Sequence, residues 1–537
     1  MEEIAAQHWD VIVIGTGMGG ATLGYALAKE GKRVLFCEKG KSACRQDSVK
    51  GRYPEEGLDP LSTPDEIFSA KLAEAGRAWE AIEERAWHGG KSLVPFIGMG
   101  EGGSSALYGM ALERFYPEDF APRAHFPEQT GHALPETWPI TYADLAPYYQ
   151  AAEQLYRVRG SADPLRGAGF QPPYLEPPPY SEGANKLFEF LNRHGCHPYR
   201  LPQACEYVAD CYCCQGYLCP KNCKNDSGRI CIEPALKAHG AVLQDECEVL
   251  RLEAGQTRVT GVVCQWQGQA FTLHGDLIVL AAGALATPKI LLQSASEIWP
   301  LGLANGSGQV GRNLMRHYVD LYVLPTAVHP PAYSSWKEIA FNDFYFHDKV
   351  KLGSVQGFGA LPPAAQLVDS LGAELRQGAF PFLEYPFRLL KPLLRKYLQR
   401  LLSGSLILAS LVEDLPYPDN RVALGTDGRL QIHYRMRPGE RKRVRKMRVL
   451  LRQLLAPYRP KLIKQAENNQ RLAHACGTCR FGVNSFDSVL NKDNRAHEVD
   501  NLYVVDASFF PSSAGINPGL TIAANALRVA RSIMSST

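Results

Sequence analysis

Residues 9–38 read WDVIVIGTGMGGATLGYALAKEGKRVLFCE, and this stretch decides the fold. Trp9–Ile14 is a short apolar run, the pattern of a strand buried on both faces of a parallel sheet. Gly15-Thr16-Gly17-Met18-Gly19-Gly20 follows at once and contains G-x-G-x-x-G. Ala21–Glu30 continues as a small-residue, Leu-spaced helix that Gly31 stops. Arg33–Cys37 is a second strand, ending at Glu38. Gly15 permits the tight turn, Gly17 lets a pyrophosphate approach the backbone, and Gly20 allows close helix–strand packing. The helix N-terminus presents free N–H groups to phosphates. Glu38 can accept hydrogen bonds from a ribose diol and would repel the 2′-phosphate of NADP. Strand, turn, helix, strand and acid in this order predict a dinucleotide site in a doubly wound, Rossmann-like α/β domain.

The rest of the chain sets the frame. Its 537 residues leave room for more than one domain. Hydrophobic residues at 45% and charged residues at 21% exclude a disordered or fibrous chain. The 48 glycines and 37 prolines follow no fixed period, which excludes collagen-like and repeat architectures. A net charge of +3 requires no nucleic-acid partner. Met1–Asp10 is polar and acidic, without a signal peptide or twin-arginine motif, so the expected location is the cytoplasm. Export to the periplasm would need a signal-bearing partner.

Three further signals lie far apart. Gly98–Ser105 (GMGEGGSS) is a second glycine-rich loop able to bring backbone N–H groups against a phosphate or a flavin ring. Asp276–Ala282 (DLIVLAA) is another buried strand, followed by Gly283-Ala284-Leu285-Ala286-Thr287-Pro288 and an apolar helix, Lys289–Ser294. At the C-terminus come a strand (Asn501–Asp506), a loop with Asn517-Pro518-Gly519, and an Ala-rich helix from Thr521 to Ser532. Ahead of them sits His474-Ala475-Cys476-Gly477-Thr478. The candidate cofactor contacts are Gly15, Gly17, Gly19, Gly20, Glu38, Gly100, Gly102, Gly103, Ser104, Ser105, Ala282, Gly283, Asp506, Asn517, Pro518 and Thr521.

These motifs, in this order, resemble the glucose–methanol–choline (GMC) oxidoreductase family of FAD flavoproteins. The resemblance implies an FAD domain built from residues 1–325 and 466–537, and a substrate domain with an antiparallel sheet at 326–465. It implies oxidation of a CH–OH group by hydride transfer to flavin N5. His474 then stands at the family's catalytic histidine and Asn517 where the family places a second His or Asn. Both residue types suit this chemistry. An imidazole takes the hydroxyl proton near neutral pH, and a side-chain amide steadies the developing alkoxide. Three positions depart from the family. Ala106 stands where some members carry a flavin-linking His, which implies non-covalent FAD. Leu107-Tyr108-Gly109 lacks a common Asn. Arg316-His317-Tyr318 replaces Asp-His-Pro.

Six cysteines, Cys211, Cys213, Cys214, Cys219, Cys223 and Cys231, crowd the segment 205–231. The spacing Cys213-Cys214-x4-Cys219-x3-Cys223 resembles the large subunit of bacterial FAD-dependent glucose, sorbitol and fructose dehydrogenases. That resemblance implies a 3Fe-4S cluster on Cys213, Cys214 and Cys219, with Cys223 nearby. It also implies a small subunit and a cytochrome or quinone acceptor, and favours a dehydrogenase over an oxidase. A zinc site, a disulfide and plain thiols are the alternatives.

Phe387–Leu402 (FRLLKPLLRKYLQRLL) places leucines at helical spacing among five cations and no acid. Pro392 marks a kink or a first turn. Arg435–Lys464 is also strongly basic. Each predicts a helix packed on a sheet with a solvated basic face or an electrostatic dock for an acidic partner, and 387–402 also a lid over a greasy substrate or peripheral contact with an anionic membrane. The cysteine resemblance favours a sugar or polyol as substrate, and the greasy basic helix a lipid or sterol-like alcohol oxidised without a cluster. The alternative of another class is a non-catalytic flavin-binding assembly subunit, against which the intact nucleotide motif and His–Asn pair argue.

Overall fold

The computed structural model describes residues 1–42, 50–54, 66–86, 89–212, 214–325, 336–377, 382, 384–468, 472 and 474–536. A core of parallel strands runs in the order Val242–Gln244, Val34–Cys37, His8–Ile14, Gln269–Leu280, with Leu502–Val504 also pairing with the last of these. Val11–Val13 are fully buried, as a strand covered on both faces must be. The helix Met18–Lys29 covers one face and packs on the C-terminal helix Gly519–Ser536, which in turn packs on Tyr142–Leu155, in a single core. Gly24 of the first helix sits on Phe36, where a Cβ would lie 2.3 Å from the ring, so helix and sheet approach closely.

Two boundaries differ from the sequence reading for local reasons. The strand expected at Asp276–Ala282 begins at Gln269, because its first half pairs antiparallel with Val259–Trp266 in a hairpin. The helix expected from Lys289 begins at Gly283 with Pro288 inside it. Pro288 has no N–H for the Ala284 carbonyl. The Thr478 hydroxyl donates to that carbonyl instead, at 2.7 Å.

The second body is a six-stranded antiparallel sheet in the order Lys461–Lys464, Tyr318–Pro325, Ser405–Val412, Gly353–Gly357, Ile339–Phe341, Tyr199–Arg200. A smaller sheet joins Arg421–Leu424 and Leu430–His433 to Ile82–Ala86 and Gly89–Leu93. The sheets on the substrate side therefore recruit strands from residues 82–93, 199–200 and 318–325, all inside the segment 1–325. Strand pairing crosses the contiguous division of the sequence reading.

Candidate active site

A cavity of about 520 Å³ lies between the parallel sheet and the antiparallel one. Its nucleotide end is formed by the first glycine turn. Gly15 adopts φ +102, and a Cβ there would lie 2.5 Å from the Ala281 carbonyl oxygen; Gly17 has nothing within 4 Å of a Cβ, so its cavity side is open. Gly17 is also the N-cap of the first helix and provides no side-chain cap, which leaves the helix N–H groups to a ligand. Gly103 of the second glycine loop packs against Gly17, with a Cβ position 3.0 Å from the Gly17 Cα. These open cradles fit a dinucleotide such as FAD.

Glu38 does more than the sequence reading expects. One carboxylate oxygen accepts from the Thr16 N–H at 3.0 Å and its hydroxyl at 2.7 Å; the other accepts from Gly40 and Gly100 N–H at 3.0 Å each. Burial pushes its pKa up while these four donors oppose the rise. Four donors fill the four lone-pair sites. A bond to a ribose diol would therefore replace one of them, and Glu38 is first a bolt between the two glycine loops. Asp506 has a matching role at the other side. It accepts from Gly283 N–H at 3.0 Å, Thr287 hydroxyl at 2.5 Å and the N–H and hydroxyl of Ser508.

Of the predicted cofactor contacts, Gly15, Gly17, Gly19, Glu38, Gly103, Ser104, Ser105, Ala282, Gly283, Asp506, Asn517 and Pro518 line this cavity. The others support it from behind. A Cβ on Gly20 would lie 2.2 Å from the Gly15 carbonyl oxygen. Gly100 and Gly102 hold the Thr16 hydroxyl. Thr521 is buried against Tyr149, hydroxyl to hydroxyl at 2.7 Å, so it joins two helices rather than facing the cavity.

His474 and Asn517 line the same cavity. Met315 and Cys476 exchange two backbone hydrogen bonds, at 2.9 and 3.0 Å. In this antiparallel register His317 falls opposite His474. Their Nδ1 atoms are 2.8 Å apart, with the rings edge to face. Gly477 allows the close approach: at φ +92, a Cβ would lie 2.5 Å from the Asn313 carbonyl oxygen.

The hydrogen bonds fix the tautomers. His317 Nε2 faces two carbonyl oxygens, Ala514 at 2.9 Å and Ser513 at 3.2 Å, so it carries the proton. Burial pushes the His317 pKa down to about 4, so the ring is neutral and its Nδ1 accepts. His474 Nδ1 is then the donor, and His474 Nε2 holds a free lone pair with no hydrogen bond among the described residues. Burial, with His317 and Lys337 adding to it, holds His474 well below the usual imidazole pKa. The neutral, proton-accepting form is therefore its resting state.

Asn517 is locked by Gln356. Its amide N–H donates to Gln356 Oε1 at 2.7 Å, and its oxygen accepts from Gln356 Nε2 at 3.4 Å. Gln356, Lys337 and His317 join the site without being predicted to. The first two come from the antiparallel sheet and its edge, where no motif marks them. His317 stands out in the sequence only as part of a departure from the family pattern.

The cysteine-rich segment brings several thiols together. Cys213 lies outside the described residues, and the Cys214 and Cys219 thiols share a hydrogen bond. Cys205, Cys211 and Cys223 lie within 4.8 Å of one another. Cys205–Cys211 is 3.6 Å, Cys211–Cys223 3.3 Å, and Cys219–Cys223 3.5 Å. Two thiolates on one tetrahedral zinc, each ~2.3 Å from it, stand about 3.8 Å apart. Converging thiols of this kind suit zinc or an iron–sulfur cluster alike, and no electron path is routed through them.

Comparison with known proteins agrees with this geometry. Residues 195–319 and 416–526 match the N- and C-terminal domains of GMC oxidoreductase, and residues 10–46 match an FAD binding domain. The chain is 29% identical to 6'''-hydroxyparomomycin C oxidase of Streptomyces lividus, covering 99% of this chain and 92% of that protein. It is 24% identical to the fructose dehydrogenase large subunit of Gluconobacter japonicus, covering 98% of each. The fold of pyridoxine 4-oxidase from Mesorbium loti superimposes with a TM-score of 0.63 at 18% identity, covering 98% of this chain and 99% of that one. The chain belongs to the GMC oxidoreductase family, FAD-dependent enzymes acting on CH–OH donors.

Proposed function

We propose that this enzyme oxidises a CH–OH carbon of a small alcohol, polyol or sugar to the carbonyl, with His474 Nε2 taking the hydroxyl proton. The observation that carries the proposal is the fixed tautomer of His474, whose free lone pair belongs to a cavity-lining ring. FAD, when bound, takes up the hydride that leaves the carbinol carbon as the C=O bond forms. Asn517 keeps one amide N–H for the substrate oxygen, because Gln356 occupies only the other. His317 is a positioning residue: it holds the His474 proton on Nδ1. Ala106 offers no nucleophile to the cofactor, which supports non-covalent FAD.

The names of the two relatives, an oxidase of a hydroxyparomomycin and a fructose dehydrogenase, support a hydroxyl-rich substrate. The cavity wall favours a second reading. Val319, Leu321, Ala409, Leu411 and Phe358 line it from the antiparallel sheet side, which suits a hydrophobic alcohol. Holoenzyme kept anaerobic with a panel of sugars, polyols and long-chain or ring alcohols separates the two by which class bleaches the flavin. Bleaching by none of them would contradict the proposal.

A further inference from the structure

We infer that the helix Glu384–Leu402 is a docking surface for an anionic membrane. None of its 19 residues is buried. At about 100° per residue, Tyr385, Leu389, Leu393, Tyr397 and Leu390 fall within an arc of about 140° on the side away from the protein. Tyr385 is 81% exposed, Leu389 82%, Leu393 68% and Leu390 55%. Isolated exposed leucines are ordinary, but a contiguous stripe of leucine and tyrosine on one helix marks an interaction surface.

The charges select the partner. Arg388 pairs with Glu384, and Lys391 and Arg395 with Asp369, all toward the flank and inner side of the helix. Lys396 and Arg400 fall within the apolar arc and form no ion pair among the described residues. Lys461 adds a third cation there, donating to the Tyr397 hydroxyl at 3.2 Å. Apolar side chains interleaved with cations match the boundary of an anionic bilayer, where leucines enter the acyl region and cations meet phosphates. Among the described residues no helix is long and apolar enough to cross a membrane. The contact is therefore a surface one, made by a helix lying in the interface plane.

A second basic helix in the same protein gives the contrast. Pro438–Leu454 carries more positive charge, yet it buries Val444, Met447 and Leu451 in the core. Among the described residues the stripe of Glu384–Leu402 has no such cover. The helix also runs through Ser403–Gly404 straight into Ser405–Val412, the strand whose Ala409 and Leu411 line the cavity. The docking helix and the cavity wall are thus consecutive elements of one stretch of chain.

The test is co-sedimentation of holoenzyme at low salt with phosphatidylcholine vesicles, with and without phosphatidylglycerol. The expected result is binding to the anionic vesicles, weakened at least tenfold in Leu389→Glu/Leu393→Glu and in Lys396→Glu/Arg400→Glu, with flavin content and turnover of a water-soluble alcohol unchanged. No binding of the unmodified enzyme, or equal binding by the variants, would overturn the inference. So would a dimer in sedimentation velocity that Leu389→Glu/Leu393→Glu dissolves without any vesicle binding, since a second copy would then cover the stripe.

Discussion

Replacing His474 by alanine leaves flavin bound and lowers turnover at least 100-fold, within the roughly 10²–10⁴-fold range of a lost general base. Flavin is retained because the glycine turns that hold it are tied by Glu38 and Asp506, not by His474. Turnover falls because no other described side chain offers the same group: His317, its neighbour, has both nitrogens engaged. The pH profile follows from the same geometry. A base works while unprotonated, and a lowered pKa keeps it so to lower pH. The ascending limb of kcat/KM therefore lies well below the usual imidazole value of ~6.5, with activity lost as pH falls through it. Near-normal turnover in His474→Ala would remove the assignment, as would an ascending limb at or above the usual value.

Lys351→Met destabilises the folded protein by about 3–5 kcal/mol, the cost of leaving buried carboxylates without their cation. The Lys351 ammonium is fully buried between Asp119 at 2.5 Å and Glu413 at 2.6 Å, both also fully buried. The effect reaches the active site. Asp119 accepts from the Tyr345 hydroxyl at 2.9 Å, and that hydroxyl accepts from the Gly515 N–H at 2.9 Å. Gly515 lies in the loop that holds His317 through the Ala514 carbonyl and leads to Asn517. Urea unfolding of the holoenzyme measures the loss, and Lys351→Met/Glu413→Gln should recover part of it by removing one orphaned charge. A change below about 1 kcal/mol in the single variant would show that the pair carries no such weight.

The parts of the site that are legible in the sequence are those written in local order. The first strand, turn and helix need only neighbouring residues, so WDVIVIGTGMGG announces its own geometry. His474 and Asn517 are legible because each sits in a short motif. Gln356 and Lys337 are not, because strand pairing between distant segments brings them to the cavity. Glu38 reads as an acid at the right place, but its four donors come from Thr16, Gly40 and Gly100, and the last lies 62 residues away. The cysteines add partners that spacing does not mark: an irregular loop brings Cys205, distant from the C-C-x4-C pattern, to Cys211 and Cys223. The two basic helices look alike as sequence. Only packing distinguishes the one that buries its leucines from the one that presents them.

Anaerobic stopped-flow absorbance of the bound flavin, with an alcohol from the bleaching class protiated or deuterated at the carbinol carbon, tests the central claim most directly. The expected result is bleaching that slows severalfold with deuterium in the unmodified enzyme, because the C–H bond breaks in the reductive step. In His474→Ala bleaching should be at least 100-fold slower. Flavin that stays oxidised with every CH–OH compound, or that is reduced equally fast without His474, would contradict the claim.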